Sequence, residues 1–267
     1  MKYLIEFQDI QENNTNLFGG KGSNLVYLTS HNIRVPKGWI LPAQFFHENV
    51  LKNCASVEEI RLSIEAFTFP EDFYADITQL PDLVSVRSSA NMEDGKNYSF
   101  AGVFQSFLYV TPEDVEKNIK LCWSSLYSDR ALQYTLSQGW DILKQSMSVV
   151  VQSMIDSDVS GVMFTEDPFD EDLLLIEAIP GVGEDLVHGN VTPDVYKVNR
   201  DEGYIDSVLA PIRDNRYDQC LTGDQIQQLA REGIEIEKLY GEGQDIEWAI
   251  KDSILYILQS RPITSKI

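Results

Sequence analysis

The sequence predicts a mixed α/β fold, and three observations carry that prediction. Short apolar runs recur at residues 83–87, 149–154, 159–164 and 173–178, the second of them rich in valine. Runs of this length and composition read as buried strands. Between them lie segments with apolar residues at helical spacing, such as Ile60, Ile64 and Phe67, or Val115, Ile119, Cys122 and Leu126. Hydrophobic residues make up 43% of the 267 residues, enough for a substantial core in one large domain or two compact lobes.

Taken in order, residues 17–22 form a glycine-rich turn, Leu-Phe-Gly-Gly-Lys-Gly, with Leu25 and Leu28 following at helical spacing, so a helix is expected just after it. Ser56 with Glu59 reads as a capping box. Residues 100–110 contain a strand ending at Thr111-Pro112, a helix-start signal. Thr222 with Gln225 starts another capped helix, carrying Ile226 and Leu229. A hairpin closes the chain, with strands at 245–250 and 255–260 and a turn near Asp252-Ser253. No Pro/Gly/Ser-rich linker divides the sequence; approximate lobes are 1–150 and 151–267.

Forty-two acidic and 21 basic residues give a formal net charge of -21. Such a surface repels phosphate backbones and anionic bilayers, which excludes nucleic acid and membrane as expected partners. The acidity serves solubility, or an acidic face docks a basic partner. Cys54, Cys122 and Cys220 are few, odd in number and widely spaced, which fits a reducing compartment without structural disulfides. The N-terminal residues lack a signal-peptide pattern, and no apolar run approaches the ~20 residues of a membrane helix. The expected location is cytoplasmic.

Several clusters suit phosphate chemistry. Gly19-Gly20-Lys21-Gly22 lets a backbone approach phosphate closely and offers a lysine as a point charge, though the Walker spacing is absent; the other reading is an ordinary turn. Arg87 ends a strand ahead of Ser88 and Ser89. It either forks onto phosphate oxygens, with the hydroxyls adding donors, or pairs with a carboxylate such as Glu93 or Asp94. Ser99, Phe100, Ala101 and Gly102 form a small-residue hairpin tip, which folds over phosphates or is simply a turn. Glu177 ends a strand near Glu184.

In the last hairpin, alternation puts Asp245 and Glu247 on one face, and Leu255, Ile257, Gln259 and Arg261 together on the return strand. A three-residue loop would set Glu247 opposite Gln259 and Asp245 opposite Arg261; a two-residue loop would put Glu247 and Gln259 on opposite faces. The first register gathers oxygen ligands and a guanidinium fit for Mg²⁺ and phosphate; the other reading of Asp245 and Arg261 is a structural cross-strand pair. His31, His47 and His188 lie in no small-residue loop of the kind that presents a phosphorylatable imidazole.

Each cluster alone is weak, but their order is specific. Phe18-Gly-Gly-Lys-Gly-Ser-Asn-Leu25, Val86-Arg-Ser-Ser-Ala90, Ser99-Phe-Ala-Gly102, Ser160-Gly-Val-Met-Phe-Thr165, Asp245-Ile-Glu-Trp248 and Leu258-Gln-Ser-Arg-Pro262 together resemble the ATP-binding part of the pyruvate-phosphate dikinase and phosphoenolpyruvate synthase family. The resemblance runs from about Phe18 to Pro262. It implies an ATP-grasp fold with ATP and Mg²⁺ between two lobes. It implies that Lys21 and Arg87 hold phosphates under the tip formed by Ser99, Ala101 and Gly102. Gln152 and Met154 would form the hinge strand reading adenine, mostly through backbone, with Glu177 nearby. Glu247 and Gln259 would bind the metal and Arg261 would assist the transferred phosphoryl group. The implied catalytic residues are therefore Lys21, Arg87 and Arg261, acting by positioning and charge stabilisation.

The sequence departs from the family at Glu166, where an arginine is usual, and in a short stretch between Trp39 and Val84. It contains nothing resembling the swivelling domain that carries the phosphorylated histidine, nor an acceptor-binding domain. The expectation is an ATP-Mg²⁺-dependent phosphotransferase module that phosphorylates a histidine on a separate partner chain. The alternatives are a stand-alone small-molecule kinase or ATP-grasp ligase, and a catalytically silent nucleotide-binding regulatory subunit.

Overall fold

The computed structural model describes residues 3–91, 104–187, 189–201, 203–211 and 219–263. The chain divides into two compact units, one of residues 1–31 and 36–154, the other of 32–35 and 155–267. Each contains an antiparallel sheet, so the mixed α/β class read from the sequence holds.

The first unit contains β1 (Ile5–Glu6), α1 (Thr15–Ser30), β2 (Gly38–Leu41), α2 (Ala43–Phe46), α3 (Val57–Ala66), α4 (Glu71–Ile77), β3 (Val84–Ala90), β4 (Ser106–Val110), α5 (Val115–Leu126), α6 (Asp129–Ser137) and β5 (Met147–Ser153). The sheet order is β1-β2-β5-β3-β4. Val84, Val86, Ala90, Met147, Val149 and Val151 point to one face and build a single core with the apolar faces of α3, α4 and α5. Val115, Ile119, Cys122 and Leu126, the helical stripe read from the sequence, are all fully buried there. Phe46 stacks on Trp123 with ring centroids 4.7 Å apart. On the opposite face of β3 and β5 stand Ser85, Arg87, Ser89, Ser148 and Gln152, and α1 lies on that side.

The second unit contains β6 (Val159–Phe164), β7 (Leu173–Pro180), α7 (Glu184–Val187), β8 (Asp194–Asn199), β9 (Ile205–Leu209), α8 (Gly223–Tyr240), β10 (Gln244–Lys251) and β11 (Ile254–Pro262). Their order is β11-β10-β6-β7-β8-β9. One face carries Trp248, Ile246, Met163, Ile176 and Tyr196, all fully buried. Helix α8 covers it, and Gly233 permits the approach: a Cβ there would lie 2.7 Å from Met163 Cε. The expected capping box starts this helix, with Thr222 N–H donating to Gln225 Oε1 at 2.9 Å and Gln225 N–H to Thr222 Oγ1 at 3.3 Å. The other face is only partly covered and holds the polar side chains described next. Among the described residues, no helix is long and apolar enough to cross a membrane.

Candidate nucleotide and metal site

In the first unit the glycine-rich segment joins a short helical turn to the main length of α1. Helix α1 begins at Thr15, where the Asn14 side chain accepts the N–H of Asn16 at 3.0 Å. Gly19, at φ 68°, interrupts it, and the helix resumes through Lys21. Glycine is required twice over at position 19, by the left-handed backbone and because a Cβ would lie 2.1 Å from the Ser89 carbonyl oxygen. Ser89 Oγ donates to Phe18 O at 2.8 Å and accepts the Gly22 N–H at 2.9 Å. Ser148 Oγ donates to the same Phe18 carbonyl and to Ser89 O.

The expectation that Ser88 and Ser89 donate to phosphate is therefore corrected. Ser89 is committed to the α1 break, and Ser88, fully buried, lies on the core face with Val86 and Ala90. Lys21 Nζ donates to the carbonyl of Ser88, the residue after Arg87, at 3.2 Å. Gln152 is buried, its amide donating to Pro36 O at 3.4 Å, and the Met154 N–H donates to Leu83 O at 3.0 Å. Ser99, Ala101 and Gly102, expected over the phosphates, lie outside the described residues.

In the second unit the closing hairpin turns through only two residues, Asp252 and Ser253, with φ 50° and 62°, as a type I′ turn demands. Asp158 steadies it, accepting the Asp252 N–H at 2.9 Å and pairing with Lys251 Nζ at 2.8 Å. A regular ladder from that turn would have parted Glu247 from Gln259. A bulge restores them: Trp248 pairs with Ile257, Glu247 with Gln259, and Leu258 is the extra residue. The bulge also corrects simple alternation. Leu255 and Ile257 share the apolar face of Ile250 and Trp248, while Gln259 and Arg261 share the face of Glu247 and Asp245.

Across the partly covered face, Gln259, Glu247, Val162 and Glu177 stand in one row, and Arg261, Asp245, Phe164, Leu175 and Lys197 in the next. Arg261 grips Asp245 Oδ2 with Nε at 2.8 Å and a terminal nitrogen at 2.7 Å. Burial raises the Asp245 pKa against the opposing pull of Arg261, and Glu247 adds to the rise. Burial, then the charge of Asp245, raises that of Glu177. Among the described residues, no group of three or more His, Cys, Asp or Glu is arranged to hold a metal ion.

The model for the pyruvate phosphate dikinase AMP/ATP-binding domain matches residues 15–267. The chain belongs to this family. Its relatives include the uncharacterized phosphotransferase YvkC of Bacillus subtilis, 35% identical over 294 residues that cover 98% of this chain and 35% of the relative. Rifampicin phosphotransferase of Bacillus cereus is 35% identical over 98% of this chain and 36% of its own length. A probable phosphoenolpyruvate synthase of Archaeoglobus fulgidus is 36% identical over 98% of this chain and 42% of its own. The chain thus spans between 27% and 46% of the length of such curated relatives. Solved structures with distant likeness include D-alanine–D-alanine ligase of Bacillus anthracis, at 11% identity over 92% of this chain and 58% of that one, with a TM-score of 0.38.

Within the dikinase-type frame, the part that Ser148 plays had no signal in the sequence, being 130 residues from Phe18. Glu166, the departure from the family pattern, lies 3.7 Å from Arg200, which also pairs with Glu237 of α8 and donates to Glu171 O at 2.8 Å.

Proposed function

We propose that this chain binds ATP with Mg²⁺ and donates a phosphoryl group to a histidine on a separate protein. The observation that carries the reading is the bulge-corrected pairing of Glu247 with Gln259 beside Asp245 and Arg261, within a chain of the dikinase AMP/ATP-binding family. A two-residue turn alone would have dispersed these groups.

The donor set suits magnesium: Glu247 and Gln259 offer oxygen atoms, and neighbouring carboxyls already resist ionisation through burial and mutual repulsion, which a cation relieves. Magnesium bound there would neutralise charge on the phosphate oxygens. Lys21 contributes a point charge to the phosphates and Arg87 a planar fork. Arg261, oriented by Asp245, stabilises charge on the transferred group without reorganising. Glu177 stands in the row of Glu247 and tunes its field. The Met154 N–H is committed to Leu83, so adenine held at that residue meets its carbonyl. Proton transfer to or from a nucleophile of this chain is not required.

The names of the rifampicin phosphotransferase relatives favour one second reading, transfer to a small molecule. Incubation with ATP labelled separately at the β and γ positions distinguishes the two. Label on a partner histidine supports the proposal: the γ label with release of ADP, or the β label with release of AMP and of the γ phosphate, taken by water, as inorganic phosphate. ADP with a modified small molecule replaces it, and tight ATP binding with no turnover under any acceptor leaves a regulatory nucleotide site instead.

A further inference from the structure

Residues 166–172, Glu-Asp-Pro-Phe-Asp-Glu-Asp, join β6 to β7. Phe169 at their tip is 81% exposed, the most exposed large apolar side chain among the described residues. Single exposed apolar residues are ordinary on protein surfaces. Two features set this one apart.

The tip is held on all sides. Asp167, 2% exposed, pairs with Lys197 at 2.6 Å, and its Oδ1 accepts the Phe169 N–H at 2.9 Å. Asp170 Oδ1 accepts the Asp172 N–H at 3.2 Å, and Asp167 and Asp170 form an isolated antiparallel bridge. The Arg200 side chain donates to Glu171 O, and its N–H to Asp172 O at 3.0 Å. A ring displayed on so constrained a turn loses little freedom when a partner covers it.

The ring is also flanked by exposed acids, Asp170, Glu171 and Asp172. An aromatic anchor ringed by one sign of charge combines a contact that holds with a field that steers. In a chain of net charge -21, a second copy is repelled, as is an anionic bilayer.

We infer that the 166–172 turn is a docking hook for a protein whose surface offers an apolar socket rimmed by lysine and arginine. Phe169 fills the socket, and the acids meet the rim. The inference is independent of the phosphotransfer reading, since the turn holds none of the residues assigned to nucleotide or metal.

The test places p-benzoylphenylalanine at position 169 of the protein in its own cells, with the same probe at Leu136, 75% exposed, as control. One adduct specific to position 169 is expected. The partner so identified is then purified and titrated against the wild type, Phe169→Ala and a triple Asp170→Asn, Glu171→Gln, Asp172→Asn variant. Phe169→Ala is expected to weaken binding about tenfold or more, with unchanged thermal stability and unchanged ATP affinity. The triple variant is expected to slow association several-fold, and added salt to do the same to the wild type. The hook is overturned by equal labelling from both positions, by adducts only within the chain or to a second copy of it, or by a partner that binds Phe169→Ala as tightly as the wild type. Salt-insensitive association overturns the basic rim.

Discussion

Glu247 stands opposite Gln259 across the closing hairpin although only Asp252 and Ser253 separate the strands at their turn. The odd residue that makes this possible is Leu258, on the strand opposite the candidate ligand Glu247, and it works by re-phasing residues 259–262.

Glu247→Ala should abolish Mg²⁺-dependent turnover while shifting the melting temperature by less than about 4 °C, since the side chain is only half-buried and the loss should stay near ~1 kcal/mol. Turnover against Mg²⁺ concentration, with circular dichroism melting as control, checks it. Full activity in the variant would sink the metal assignment.

Arg261→Ala leaves the buried Asp245 carboxylate without its guanidinium. Breaking a fully buried pair costs about 3–5 kcal/mol; with the Arg261 side chain 33% exposed, solvent screening reduces the expectation to roughly 1–3 kcal/mol. Asp245 already titrates above its ordinary value of 3.8, and losing Arg261 lifts it further. The native state then takes up its proton at a higher pH than the unfolded chain. The penalty is therefore full at neutral pH and shrinks as pH falls through the raised native pKa. Urea unfolding of both proteins at about pH 7.5 and about pH 4.5 measures it; an equal loss at both would contradict the charge account.

Glu177→Gln should raise the melting temperature at neutral pH. Burial and the Asp245 charge hold the Glu177 pKa above its usual 4.5, so the ionised form opposes folding and protonation relieves it. Sign and window follow: the advantage of glutamine is present above the raised native pKa and disappears once pH falls below the ordinary value. Paired melting curves across that range suffice, and a variant less stable at neutral pH would refute the direction.

Gly19→Ala should cost at least about 2 kcal/mol, lowering the melting temperature by roughly 5 °C or more, because the left-handed backbone and the Ser89 carbonyl both oppose a Cβ. Ser89→Ala should cost about 1–3 kcal/mol by stranding the Gly22 N–H and removing one of the two donors to the Phe18 carbonyl. Wild-type melting in either variant would remove the proposed role of this junction.

Much of this fold was legible because buried strands and one-sided helices leave strong patterns. The runs at β5, β6 and β7 are valine- and isoleucine-rich, and the stripe of α5 is fully interior. Strands β1 and β2 have two and four residues, too few for a period to show. Asp194 opens β8, fully buried, where it accepts the Tyr196 hydroxyl at 2.9 Å and the Cys220 N–H at 2.6 Å. A polar residue satisfied by partners distant in sequence carries no local sign of burial. The helix expected from the glycine-rich segment is present as the length of α1 beyond the break at Gly19, while the short turn that Asn14 caps ahead of it is masked by the glycine-rich pattern. For the candidate site, residue types and sides of β10 were readable, while the pairing depended on a bulge that no turn residue announces.

The Phe18 carbonyl, shared by hydroxyls from β3 and β5, fastens the lysine-bearing glycine segment to the centre of the first unit's sheet. Glycine-rich phosphate loops are often treated as flaps that a nucleotide orders on arrival. Here hydrogen bonds from protein groups hold the segment. Amide hydrogens at Gly22 and along β3 should exchange slowly in the apo protein and change little when ATP is added, so the entropy of arranging Lys21 is spent in folding rather than in binding.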